Sequence, residues 1–256
     1  MLGSKTKTIL TYICPLFAIL FFEQVIFADN SQSMPLFSIN IANGEKPDDW
    51  TPAIKAIAIL TLLTFGPAIL LLTSAFTRIL IVLSFLKQAL GTPTLPPNQV
   101  LIGLALFLTY FVMSPTTNKI YDNAIAPYME QKITTKEAFE IGQKPLRSFM
   151  LNQTRPEDLK VFYQMSKLPR PKNYDDVPMS ILMPAFVISE LRAAFQIGFL
   201  IYLPFIIIDM IVSSVLMAMG MMMLPPTIIS LPLKIILFVV VDGWNLISGS
   251  LMKSFT

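Results

Sequence analysis

The sequence predicts an all-α, membrane-associated fold: hydrophobic helical hairpins with broken helices, arranged around one polar helical insertion. Three observations point there. The chain is 54% hydrophobic and only 14% charged, whereas soluble domains carry roughly 25% charged residues. Several apolar runs approach the ~20 residues that a helix needs to cross a bilayer. Prolines and isolated ions interrupt those runs, while most of the charge gathers in one segment, 114–183. Mean hydropathy is +0.64.

The same composition excludes much chemistry. There is no histidine, and Cys14 is the single cysteine. Imidazole and thiolate catalysis are absent, as are the usual zinc and copper ligands. No disulfide can form within the chain. No catalytic residue, cofactor or metal is expected. A net charge of +3 is too small to imply a nucleic-acid partner. Asp209 and Asp242 lack the context of a paired-aspartate protease.

Taken in order, Met1–Ala28 reads as a secretory signal. Lys5 and Lys7 precede an apolar stretch, Ile9–Phe22, and Ile26-Phe27-Ala28 offers a small residue for cleavage. An uncleaved anchor is the alternative, but Glu23 and Gln24 shorten the apolar run. Residues 29–52 form a polar mature start. The first hydrophobic region, 53–113, begins with Ala53–Phe76, which carries Gly66-Pro67 at its middle. Arg78 and the apolar stretch Ile79–Leu90 follow. Gly91-Thr92-Pro93-Thr94-Leu95-Pro96-Pro97 forces a turn, Asn98 is placed as an N-cap, and Val100–Met113 is a second apolar run.

The insertion, 114–183, is expected on the extracytoplasmic side. Lys136, Glu137, Glu140 and Lys144 suggest a solvated helix. Arg155-Pro156-Glu157-Asp158 reads as a helix start, with proline and acids in the first turn. The second hydrophobic region, 184–256, holds Pro184–Ile208, its continuation Met210–Leu224, and Thr227–Leu251. If 1–28 is removed, four crossings place Arg78 and Lys87 inside, as the positive-inside tendency asks.

Glu190 and Arg192 do not belong in lipid. Each mid-span ion costs about 2.5–3.5 kcal/mol, while a large aliphatic residue returns about 0.3–0.6. Two positions apart on a helix, they point about 200° from one another and cannot pair. Each needs a partner on another helix or another subunit. Three arrangements are open: snorkelling at a membrane edge, charge pairing or a wet lumen within an oligomer, and an ion relay. Asp209 and Asp242 can pair with Lys234 or with a neighbour.

Met217–Pro226 reads Met-Ala-Met-Gly-Met-Met-Met-Leu-Pro-Pro. A helix ends at Gly220, and Pro225 and Pro226 forbid its continuation. No charge falls between Met210 and Ile229. Methionine often fills gaps in packing, but Met221, Met222 and Met223 cannot all face one side. A ring of such thioethers is the other reading: a soft seal.

Thr77–Pro93 with Leu95–Val100 resembles the signature of the FliP family of flagellar export proteins. So do Phe186–Arg192 with Phe195–Phe199, Met217–Pro226 and Val241–Leu246. The likeness runs from about Trp50 onward. It implies a core subunit of the flagellar type III protein export gate in the bacterial inner membrane and flagellar basal body. A helical pentamer with FliQ and FliR is implied, beside other export-apparatus membrane proteins, with unfolded flagellar subunits as cargo and lipid around it. It further implies that Met221–Met223 form a gasket, with Gly220, Pro225 and Pro226 as its hinge. Its apolar segments need not cross the bilayer conventionally. We expect Glu190 to pair with a cation of a neighbouring subunit, with Arg155 as the candidate and Arg192 close by. The rival class is a small-solute or ion secondary transporter using Glu190, Arg192 and Asp209. Such transporters show repeated halves, and none is visible here.

Overall fold

The computed structural model describes residues 51–92, 95–166, 176–221 and 224–255. The expected signal, residues 29–50 of the mature start, and Met222 and Met223 lie outside them. The chain divides into two units, Met1–Ile59 and Leu60–Thr256. The described part of the first is the opening of helix α1 (Thr51–Leu72).

The second unit holds the remainder of α1, then α2 (Phe76–Ala89), α3 (Asn98–Ile120), a π turn (Tyr121–Ile125) and α4 (Ala126–Met129). These are followed by α5 (Thr135–Gln153), α6 (Pro156–Ser166), α7 (Met179–Ala218), α8 (Pro226–Val240) and α9 (Gly243–Lys253). No strand occurs among the described residues, so the all-α expectation holds.

Several boundaries differ from expectation, each for a local reason. The first apolar segment stops being helical at Leu72, before Phe76. There Thr73 Oγ1 donates to Ile69 O at 2.9 Å and Ser74 Oγ to Leu71 O at 2.8 Å. These hydroxyls add a second bond to carbonyls that also accept the Thr73 and Ser74 backbone N–H groups. Asn98 is not the N-cap of α3. Pro97 holds that position, and Asn98 Oδ1 accepts from Lys87 Nζ at 2.9 Å. Helix α3 also runs past Met113 through Pro115 to Ile120. Thr117 Oγ1 folds back on Met113 O at 3.0 Å, which keeps a polar residue helical.

The third apolar segment and its continuation form one helix. Helix α7 has 40 residues, with Pro184 and Pro204 inside it. At 1.5 Å per residue it is about 60 Å long, twice the ~30 Å hydrocarbon core of a bilayer.

Helix α2 shows why the centre packs. Its buried positions are Arg78, Ile79, Val82, Leu83, Leu86 and Ala89, one stripe at helical spacing, with Ser84 and Gln88 exposed opposite. The stripe joins Leu101 and Ala105 of α3, Ala194 and Phe205 of α7, Phe238 of α8 and Leu251 of α9 in one core. A second core joins the insertion to the start of α7: Met150, Leu159 and Tyr163 meet Ile181, Leu182 and Phe186. The polar insertion therefore docks an apolar stripe on α7.

Close approach of α2 and α7 depends on Gly198. A Cβ there would stand 2.6 Å from the Phe85 ring. Phe85 in turn meets Phe195 edge-on, with centroids 5.3 Å apart.

The other face of α7 stays open. Phe195, Phe199, Leu200, Ile207, Met210, Ile211 and Val215 are exposed. A helix apolar on all sides demands cover on all sides. The stretches 98–129 and 179–218 are long and apolar enough to cross a membrane. The expected four crossings arise only if two bent pairs, α1 with α2 and α8 with α9, each count as one span.

Two predictions follow from this packing. Gly198→Ala should destabilise the protein by about 1–3 kcal/mol, the usual cost of overpacking. Adding Phe85→Leu should recover part of that in denaturant unfolding in detergent. The second concerns the start of α5, where Thr134 and Glu137 form a reciprocal cap. The Thr134 backbone N–H, and then its hydroxyl, hold the Glu137 carboxyl below the usual carboxylate range. Its contribution is complete above the ordinary carboxylate pKa and fades as pH falls through the lowered value. The Thr134 amide resonance should move across that acidic window in the native chain and stay still in Glu137→Gln.

Candidate functional site

Two features stand out: a buried polar hub and the methionine turn that α7 carries at its far end.

The hub is built on Arg78, which is 4% exposed, and Glu190, which is 0% exposed. Arg78 Nε donates to Glu190 Oε2 at 2.9 Å, and Nη2 to Oε1 at 2.5 Å. This is the bidentate fork that guanidinium and carboxylate favour. Arg78 Nη2 also donates to Gln153 Oε1 at 2.9 Å, and Nη1 to Ser254 O at 2.7 Å. The Phe255 ring lies 4.0 Å from the guanidinium carbon, in cation–π range. Gln153 Nε2 closes the circle by donating to Phe255 O at 3.0 Å. One arginine thus binds α2, α5, α7 and the residues after α9.

Within the chain, the Glu190 carboxylate is met by Arg78, and both oxygens are taken. The Arg155 side chain is exposed, and its backbone N–H donates to Ser189 Oγ at 3.1 Å. Arg78 was read as a cation facing the inside of the cell. The signal that would have found it is its isolation: it is the sole ion between Lys55 and Lys87, while Glu190 lacks a partner.

Arg192 behaves as the helical geometry requires, finding its partner on a different helix from Glu190. Arg192 Nη2 lies 3.2 Å from Asp158 Oδ1 on α6, and Ser189 Oγ donates to Asp158 Oδ2 at 2.7 Å. Asp158, expected as a first-turn acid, is buried. Farther along α7, Asp209 Oδ2 receives Lys234 Nζ at 2.6 Å, which realises the suggested Asp209–Lys234 pair. Asp242 is left-handed, with φ 51°, at the 65° bend between α8 and α9. Gly243 follows because a Cβ there would meet the Phe238 ring at 2.2 Å.

The methionine turn has rigid ends. Gly220 adopts φ +75°, a left-handed conformation that favours glycine. Met221 N–H donates to Leu216 O at 3.0 Å and Gly220 N–H to Met217 O at 3.0 Å. That pair of bonds is a Schellman closure, which satisfies the last carbonyls of α7. Pro225 then caps α8, and Pro226 takes its first position. The glycine thus follows the end of α7, and the prolines open α8. Met217, Met219 and Met221 are 59%, 59% and 41% exposed. They do not fill gaps within this chain.

The FliP family matches residues 59–251. The chain is 56% identical over 206 residues to the flagellar biosynthetic protein FliP of Pectobacterium carotovorum subsp. carotovorum, covering 80% of each chain. It is 52% identical over 217 residues to the flagellar biosynthetic protein FliP of Bacillus subtilis strain 168, covering 85% of this chain and 98% of that one. The protein of that name from Caulobacter vibrioides is 46% identical over 223 residues, covering 87% and 84%.

The hub makes a sharp prediction. Arg78→Met or Glu190→Leu alone should cost about 3–5 kcal/mol, because each leaves a buried charge unpaired. The double change should cost much less. Arg78→Glu with Glu190→Arg should recover part of the loss, whereas Arg155→Glu with Glu190→Arg should not. Unfolding midpoints in detergent for the five variants decide it.

Proposed function

The chain belongs to the FliP family, and from that premise we propose that it is a core subunit of a protein-conducting gate, sealed by its methionine turn. The flagellar export-gate role rests on the family itself. The channel, its seal and its assembly are our reading.

One observation carries it: the apolar face that α7 leaves open along its length. A 40-residue helix of about 60 Å outruns one bilayer. Its buried ions are matched inside the chain, and its outer face is aliphatic and aromatic. Other helices cover such a face better than lipid alone does. Copies of this chain in a ring, pentameric by family resemblance, would supply them. FliQ, FliR and other export-apparatus membrane proteins would complete the assembly. The place is the bacterial inner membrane within the flagellar basal body, with the α5–α6 insertion toward the periplasm. The cargo is unfolded flagellar protein, and the chain performs no chemistry on it. The half-exposed Arg192 and the exposed Arg155 are the cations we assign to contacts between copies.

The seal follows from the turn. Thioether side chains are unbranched and deformable. Around a narrow passage, Met221, Met222 and Met223 close it to ions yet yield to different polypeptides. Gly220, Pro225 and Pro226 hold the stems while the tip adapts. Replacing the three methionines with alanine in the purified assembly should raise the leak of small ions in channel recordings, with the assembly's size unchanged on gel filtration. An unchanged conductance would remove the seal.

A further inference from the structure

The helices that carry the methionine turn are tied together well behind it. We propose that Asp209, Ser230 and Lys234 form a clasp that fixes the spacing of α7 and α8 and so sets where the seal sits. The inference rests on reading the turn as a seal.

The geometry is specific. Asp209 lies nine residues before the end of α7 at Ala218, and Lys234 eight residues after the start of α8 at Pro226. Both are therefore about 12–14 Å from the turn along their helices. The clasp is a cross-rung at one level of the hairpin. Ser230 and Lys234 are four positions apart, on one face of α8. Each takes one carboxylate oxygen: Ser230 Oγ donates to Oδ1 at 2.5 Å and Lys234 Nζ to Oδ2 at 2.6 Å. With both oxygens engaged, the carboxylate resists sliding along α8 as well as separation from it.

The two donors of the clasp are buried, with Ser230 0% and Lys234 5% exposed, while the Asp209 side chain is 31% exposed. The ammonium lies under the turn that follows α2, where Gly91 has φ +73° and a Cβ would stand 3.7 Å from Nζ. The clasp thus also registers the hairpin against a third element. A charged hydrogen bond withdrawn from water loses much when one partner is removed. No charge lies between these residues along the turn, from Met210 to Leu233. Apolar packing there is non-directional and allows the helices to slide. Direction comes from the clasp.

The test uses the full chain in its membrane assembly. In a Cys14→Ser background, spin labels are placed at Val215→Cys and Ile228→Cys, both exposed positions near the turn. The interspin distance distribution and the ion leak are read together. Asp209→Asn and Lys234→Met should broaden the distribution and raise the leak by about tenfold or more, a decade for each ~1.4 kcal/mol lost from the closed form. Ser230→Ala, which removes only one hydrogen bond, should give a smaller change in the same direction and guards against variants that fail to assemble. Asp209→Lys with Lys234→Asp should narrow the distribution again, as a general loss of stability would not allow. An unchanged distribution in Asp209→Asn and Ser230→Ala overturns the clasp. A broadened distribution without leak, in an assembly where the methionine-to-alanine variant does leak, overturns its role in placing the seal. If the methionine variant itself does not leak, the seal reading fails, and the distance distributions still decide whether the clasp holds the hairpin.

Discussion

Withdrawing Arg78 and Glu190 from water is the constraint on which the rest of the fold depends. A buried ion pair repays its desolvation only with near-ideal geometry and with its remaining hydrogen bonds filled. Here both conditions are met by residues far apart in the chain. The fork to Glu190 needs α2 against α7, which in turn needs a glycine at 198 beneath Phe85. The remaining donors need Gln153 at the end of α5 and Ser254 after α9. Any sizeable displacement of one element would leave a donor or an oxygen without a partner in a dry place. The hub therefore specifies the arrangement more than it stabilises it: apolar residues of the same volume would hold the helices together and would not fix their register.

That solution leaves the outer surface unconstrained. With Glu190, Asp209 and Lys234 matched internally, the ions no longer conflict with an apolar exterior. The long helix presents Phe199, Leu200, Ile207 and Ile211 outward while Asp209, between the last two, is held by Lys234. Pairing inside and association outside are complementary. A chain that left its ions for a neighbour to satisfy would carry unpaired charge until assembly. This one has its buried ions matched before any neighbour arrives.

Much of this was legible in the residues, and the limits were physical. Helix type followed from the length of the apolar runs, and the stop at Gly220 and restart at Pro226 followed from backbone rules that act locally. The opposed directions of Glu190 and Arg192 followed from the helical repeat and matched the observed partners on α2 and α6. The identity of those partners did not follow. Arg78 is 112 positions from Glu190, and no periodicity links them. Asp158 looked like an ordinary first-turn acid because its burial is imposed by α7 packing on α6. Helix ends did not coincide with the ends of apolar runs: α1 stops at Leu72, before Phe76, and α3 continues past Met113 to Ile120. Side-chain bonds to backbone carbonyls are invisible to hydropathy.

On the proposed reading, the gate is soft at its seal and held firmly behind it, and the two properties need each other. A seal made of deformable side chains fails if its supports also move, because thioethers cannot fill a gap that widens by ångströms. Rigidity must therefore come from groups that are directional and few. The turn has three such supports, in order of distance. Gly220 closes α7 through two backbone bonds, Pro225 and Pro226 fix the first turn of α8, and Asp209 joins the helices from behind. Gly220 stands between Met219 and Met221, while Pro225 and Pro226 follow the methionines and Asp209 precedes them. On the proposed reading, these supports act from outside the seal and leave its closure to the methionine side chains themselves.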